Sequence, residues 1–289
     1  MRRYLSPLLL MLAAACSPLN TFNALVPKDP GVSAVARDQA FRPGPRGGLD
    51  VYAPRNAQLG ARLPIIVFFY GGSWNTGDKD GYAFVGRALA ARGFVVAIPD
   101  YRLVPEVRFP GFLEDGAAAV RWVRANAHRV GGDPDRIVIA GHSAGAYNAA
   151  MLSLDPQWLG ADRAAVKGFA GLAGPYDFLP FDSPVTRAAF GQAPDAQATQ
   201  PVRLASRGDP PALLLVAGQD TLVYPRNSTR LAEALRAAGV PVQVRTYEGI
   251  GHVGILTALS RPLRGKATVL RDLADFAARA SSQQAVQPR

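Results

Sequence analysis

An α/β architecture, a mostly parallel central sheet with helices on both faces, is predicted by three observations. Six short runs of apolar, β-branched and aromatic residues recur along the chain. Their near-continuous hydrophobicity fits strands buried on both faces, not the alternation of a half-exposed strand. Helical apolar periodicity fills several of the gaps between them, and a βαβα order requires crossover connections in a parallel sheet. The chain has 289 residues, 48% hydrophobic and 19% charged, which is enough for one large domain and far from a disordered composition.

The elements follow in chain order. Met1-Arg2-Arg3 is a short basic start, Leu5 to Ala15 is an apolar stretch of signal-peptide length, and Ala13-Ala14-Ala15 supplies small residues for cleavage. The only cysteine, Cys16, comes directly after them. The segment resembles a bacterial lipoprotein signal, so residues 1–15 are predicted to be removed and Cys16 to be lipidated, giving an exported, membrane-anchored protein facing the periplasm or the exterior. Ordinary secretion through the A-x-A site is the alternative. Residues 16–45 carry Pro, Gly, Asn and Asp without periodicity, as a tether or an N-terminal arm would. The domain itself is expected over 46–289.

Within it, Leu63 to Tyr70 (LPIIVFFY) reads as a central strand, followed by Gly93 to Pro99, Arg136 to Ala140, Val166 to Ala173, Ala212 to Ala217 and Val242 to Tyr247. Helices are expected over Phe84 to Ala91, Leu113 to His128, Ala144 to Leu154 and Ser228 to Ala238, the last closed by Gly239. Gly174 to Pro210 has scattered Pro, Asp and Phe but no long helical period, which fits a lid over a site or an irregular surface excursion. Sheets of this kind bind ligands beyond the carboxyl ends of their strands.

Those strand ends carry the chemistry. After Ala140 comes Gly141-His142-Ser143-Ala144-Gly145, with a helical segment behind it. A serine on a sharp strand-to-helix turn needs small neighbours so that its hydroxyl is presented and backbone can approach a substrate. Its base and orienting acid should follow in the order acid, then histidine. Asp220 stands just beyond the strand ending at Ala217, and His252 beyond the strand ending at Tyr247. His142 lies inside the turn and His128 at a helix end, which leaves His252 as the base. Asp177, after the preceding strand, is the rival acid; Asp220 is preferred for its strand-glycine-x-aspartate setting. Tyr70-Gly71-Gly72-Ser73-Trp74 leaves the first strand, and the N–H groups of Gly72, Ser73 and Ala144 are assigned to hold the oxyanion.

Other classes are excluded by composition. One cysteine excludes an intrachain disulfide, and three histidines leave little for a zinc site. The formal charge is +10, but the basic residues are dispersed with no run longer than Arg2-Arg3. A nucleic-acid surface would require clustered charge with interleaved aromatics. No cofactor or metal is expected.

On Gly-Gly-Ser-Trp at 71–74, Asp100-Tyr101-Arg102-Leu103-Val104-Pro105-Glu106, Gly-His-Ser-Ala-Gly at 141–145, Asp220 and His252, the chain resembles an α/β-hydrolase of the esterase/lipase type. It is similar to the hormone-sensitive-lipase-like and kynurenine-formamidase-like esterases over roughly Leu49 to Ala280. The resemblance implies the α/β-hydrolase fold, a small-molecule carboxylic ester of short acyl chain as substrate, and a structural role for Asp100 to Glu106. Amide cleavage, as by an arylformamidase or peptidase, is the alternative reaction, and a non-catalytic binding protein the alternative class. The family usually has histidine where this chain has Tyr70, which puts the positioning of the glycine loop in question.

Overall fold

The computed structural model describes residues 18–57 and 60–282. Eight strands form one sheet: β1 Val32–Ala40, β2 Gly48–Pro54, β3 Leu63–Phe69, β4 Val95–Pro99, β5 Gly132–His142, β6 Val166–Leu172, β7 Ala212–Ala217 and β8 Val242–Tyr247. Their order is β1-β2-β4-β3-β5-β6-β7-β8. From β4 to β8 every neighbour is parallel, while β1 and β2 pair antiparallel with each other and β2 with β4. All six predicted strands are present.

The two antiparallel strands were not among them. β1 alternates hydrophobic and polar residues poorly, with buried Val32 followed by a mostly exposed run, and its register slips twice against β2. Pairing, rather than an apolar face, makes it a strand. The stretch expected as a tether or arm therefore contributes an edge strand and helix α1 (Pro18–Leu25). Cys16 and the signal segment lie outside the described residues.

Helix α2 (Ala83–Ala90) and helix α9 (Val269–Ser282) pack together on the sheet, as do α3 (Gly111–Asn126) and α4 (Ala144–Leu154), with the single turn of α5 (Pro156–Leu159) against both α3 and α4, so the central strands are covered twice. Every residue of β4 and β7 is buried, as is the whole of α4. This explains why these segments read as unbroken apolar runs. Between β6 and β7, residues 174–210 form α6 (Pro184–Phe190) and two 3-10 turns. Helix α6 starts at a capping box in which the Ser183 hydroxyl accepts from Thr186 N–H at 3.0 Å. Phe190 at its end is fully buried among Trp74, Tyr147 and Phe178, which fixes the segment to the core over the carboxyl end of the sheet. α7 (Arg226–Ala237) and the short α8 (His252–Thr257) follow β7 and β8. Among the described residues no helix is long and apolar enough to cross a membrane.

Candidate active site

β5 delivers His142 and Ser143 into a sharp turn ahead of α4. Ser143 sits at φ 55°, ψ −124°, a backbone conformation that L residues avoid and that is held by the elements around it. Gly145 is required because a Cβ there would strike the backbone carbonyls of Phe69 and Tyr70 on the neighbouring strand end. The turn thus aims the Ser143 hydroxyl over the carboxyl edge of the sheet.

The three sequence-predicted side chains meet there. His252 Nε2 is 2.8 Å from Ser143 Oγ, and His252 Nδ1 is 2.7 Å from Asp220 Oδ2. The other Asp220 oxygen accepts the N–H groups of Leu222 and Val223 at 2.9 and 2.8 Å. Burial would raise the Asp220 pKa, but the hydrogen bonds from His252 and these two amides outweigh it, so its carboxyl is held below the ordinary value and stays ionised. An ionised acceptor at Nδ1 fixes the proton on that nitrogen and leaves the Nε2 lone pair toward Ser143. Asp177 is not part of this group: its Oδ2 accepts from Arg230 at 2.6 Å.

The loop after β3 places Gly72 and Ser73 beside Ser143, all three lining one cavity. Among the described residues no acceptor takes the N–H of Gly72 or Ser73. Ala144 opens α4, where an N–H has no partner within the helix. One unspent donor at the head of an 11-residue helix, with two more on the glycine loop that lines the same cavity, suits a developing negative charge. At Gly72, φ is 131° and a Cβ would collide with the Thr76 carbonyl, so only glycine fits.

Tyr70, in place of the family's usual histidine, raises the question of what positions this loop. Tyr101 O–H donates to the Tyr70 carbonyl at 2.8 Å, and the two rings stack at 4.4 Å. Gly71 N–H donates to the Tyr82 hydroxyl at 3.0 Å, and Trp74 Nε1–H to Asn148 Oδ1 on α4 at 3.1 Å. Arg102 pairs with buried Asp115, and Val104 N–H donates to the Trp74 carbonyl at 2.8 Å, so residues 100–106 brace the same loop. Burial drives the hydroxyl pKa values of Tyr70, Tyr82 and Tyr101 upward, so these phenols stay protonated. Tyr82 and Asn148 had no signal in the sequence, since an aromatic in a helix start and a polar residue in an apolar helix gain meaning only from their spatial neighbours.

His142 also takes on a part that sequence alone did not assign. Its ring is buried, and Nε2 lies 3.0 Å from the carbonyl oxygen of His252, which requires the proton on Nε2. The His142 ring therefore ties the Ser143 turn to the backbone of His252. Burial, with the adjacent His252, lowers its pKa from 6.5 to about 3. Between those values the unfolded chain binds the proton and the folded protein does not, so stability falls as pH drops below 6.5. The cost is about 2 kcal/mol at pH ~5, at about 1.4 kcal/mol per pH unit. His142→Gln removes the titration and keeps a side-chain N–H donor. Its unfolding free energy, measured in urea, should decline less between neutral pH and pH ~5 than that of the wild type; equal slopes would rule out His142 as the source.

Two cavities meet at Ser143. One, of about 740 Å³, is lined by Leu19 and Phe22 of α1, Tyr82, His252, Val253 and Leu256, among others. The second, of about 310 Å³, is walled by Trp74, Phe178, Leu179 and Val185, with Asp177 and Arg226 also on its lining. Among the described residues no group of three or more His, Cys, Asp or Glu side chains is placed to hold a metal.

The fold recurs in solved structures. A truncated carbohydrate esterase from gut microbiota superposes with a TM-score of 0.78 at 21% identity, covering 89% of this chain and 100% of that one. An inhibited esterase B from Lactobacillus rhamnosis also gives 0.78 at 19% identity, with coverage of 96% and 95%. In sequence, esterase LipI of Mycobacterium tuberculosis is 32% identical over 79% of each chain. A probable isoprenylcysteine alpha-carbonyl methylesterase ICME of Oryza sativa is 28% identical over 80% of this chain and 60% of its own, and Mycobacterium tuberculosis esterase LipC 31% identical over 65% and 52%. The chain thus spans only half to three-fifths of the length of several such relatives. The BD-FAE family profile matches residues 49–235, the stretch that runs from β2 through the glycine loop and the Ser143 turn into α7, and this chain belongs to the BD-FAE family, on an α/β-hydrolase fold.

Proposed function

We propose that the protein is a carboxylesterase-type serine hydrolase acting on uncharged esters of short acyl chain. The observation that carries this reading is the unbroken hydrogen-bonded line from Asp220 through His252 to Ser143 beside three free N–H donors. Ser143 Oγ attacks the ester carbonyl carbon while its proton passes to His252 Nε2, and Asp220 stabilises the imidazolium that forms. The carbonyl oxygen becomes an oxyanion held by the N–H groups of Gly72, Ser73 and Ala144. Collapse breaks the C–O bond, and His252 returns the proton to the departing alkoxide, releasing an alcohol. Water then repeats both steps on the acyl-enzyme, giving the carboxylic acid and free Ser143. The relatives named as esterases support the class of bond, and the smaller cavity beside Ser143 suits a short acyl group. The test is a panel of esters of graded acyl length with a formyl anilide included. Turnover is expected to be greatest for acetyl to butyryl esters and low for the anilide. A preference for the anilide would instead make the enzyme an amidase.

The proposal extends to location: an exported protein held to a membrane by lipidated Cys16. It rests on the basic start, the apolar stretch and the single cysteine after small residues. Several acyl chains on one cysteine hold a protein firmly where one chain does not. In fractionated cells the wild type should be in the membrane fraction and released by detergent, whereas Cys16→Ala should be unprocessed or soluble outside the cytoplasm. A wholly soluble wild type with unmodified Cys16 by intact mass would reject the anchor.

A further inference from the structure

Resting on the esterase reading, we infer that the two cavities at Ser143 divide the substrate unequally: a bulky apolar alcohol portion occupies the larger one, walled by α1, and the acyl portion the smaller. The direction follows from proton delivery. His252 Nε2 must reach the alkoxy oxygen as the C–O bond breaks, so the alcohol portion leaves on the His252 side of Ser143 and the acyl group extends away from it. The 740 Å³ cavity is lined by His252 and by Val253, Leu256 and Thr257 of the same helix, whereas the 310 Å³ cavity is lined by Ser143 and Ala144 but not by His252. Ser73, Ser143 and Leu222 line both, which places the reacting carbon at their junction.

The chemistry of the walls sets the ligand class. The larger cavity is lined by no Asp, Glu, Lys or Arg, its only titratable bases being His142 and His252, and Pro18, Leu19 and Phe22 add an apolar wall. Neutral His142 adds no charge. An uncharged, apolar alcohol portion is what such a surface desolvates at least cost, and the volume lies within the usual range for small-molecule sites. The smaller cavity, by contrast, has Asp177, Asp182 and Arg226 on its lining, which tolerate polar ends but leave less room.

Helix α1 is the wall that decides the fit. None of its residues is fully buried, and only Leu19 and Phe22 pack against the core among the described residues of the helix. Side-chain amides add the polar part of its docking: Asn20 donates to Asp78 at 2.9 Å, and Asn23 donates to the Asp80 carbonyl at 2.7 Å and accepts from Phe84 N–H at 3.0 Å. Phe22 meets the Phe84 ring edge-on at 5.3 Å. Gly81 allows this docking, because a Cβ there would strike the Asn20 side chain. Leu19 and Phe22 are thereby specificity-determining residues for the leaving group.

Two ester series separate the subsites: acetates of linear alcohols from methanol to octanol, and methyl esters of acids from acetic to octanoic, with kcat/KM read by acid release. For the wild type, kcat/KM should rise along the alcohol series and fall along the acyl series. Leu19→Trp narrows the larger cavity at its α1 wall and should cut the octyl-to-methyl acetate ratio by about tenfold or more, the scale on which apolar pockets discriminate chain length, without changing the acyl-series ratio. Phe22→Ala should raise kcat/KM for naphthyl acetate relative to methyl acetate. Val185→Trp, in the other cavity, should steepen the acyl series and spare the alcohol ratio. If Leu19→Trp moves the acyl ratio instead, or neither ratio, the assignment is overturned while the esterase reading stands. Absence of wild-type turnover on every ester in both series overturns the esterase reading and this inference with it.

Discussion

Ser143→Ala is expected to leave a folded protein whose ester hydrolysis is lower by roughly 10³-fold or more, because the members of a nucleophile-base-acid unit fail together when one is removed. The fold should persist for two reasons. Alanine keeps the Cβ that residue 143 already accommodates at φ 55°, and among the described residues the lost hydroxyl bonds only to His252. The thermal midpoint should therefore stay near that of the wild type while covalent labelling by an organophosphonate disappears. Near-normal turnover by the purified variant would remove Ser143 from the reaction.

The second large effect concerns the acid. Asp220→Asn should cost about 10³- to 10⁴-fold in rate, and the hydrogen bonds around Asp220 say why. Its Oδ1 accepts two backbone N–H groups, from Leu222 and Val223, so the amide oxygen of an asparagine is drawn to that position. The NH2 then faces His252 Nδ1 where Oδ2 had been. A donor at that place requires a bare Nδ1 and moves the ring proton to Nε2, where the nitrogen can no longer accept from Ser143. Asp177→Asn should change the rate by far less, since Asp177 faces Arg230 rather than His252. Kinetics of the two variants side by side, with the stability of each checked by thermal unfolding, decide between them. A large loss at Asp177 with little at Asp220 would transfer the acid's role.

The division between what was legible in the sequence and what was not follows the range of the forces involved. β3 to β7 and helices α2, α3, α4 and α7 were readable because each buries much of its own length, and burial writes a local pattern of apolar runs or a 3.6-residue period, whereas β8, an edge strand with no fully buried residue, was readable from its β-branched and aromatic composition. The boundaries differ by a few residues at most, as at β4, which starts at Val95 instead of Gly93. The positions of Ser143, Asp220 and His252 were readable for a related reason: each follows directly on a strand, and the parallel sheet collects its strand ends on one edge.

By itself the sequence determined the parallel core, the strand-end positions of Ser143, Asp220 and His252, and the small residues that the turn at 141–145 and the loop at 71–73 require, all of which depend on short-range sterics and local burial. Only the tertiary structure decided which acid faces His252, because Asp177 and Asp220 both leave strand ends and differ in the partner that reaches them, Arg230 for one and the imidazole for the other. Only it revealed that β1 is a strand and α1 a cavity wall, since one is made by pairing with β2 and the other by amide clamps to residues some 60 positions away. Hydrogen bonds across such distances leave no periodicity in the chain, and they exist only once the hydrophobic core has brought both partners to the same place.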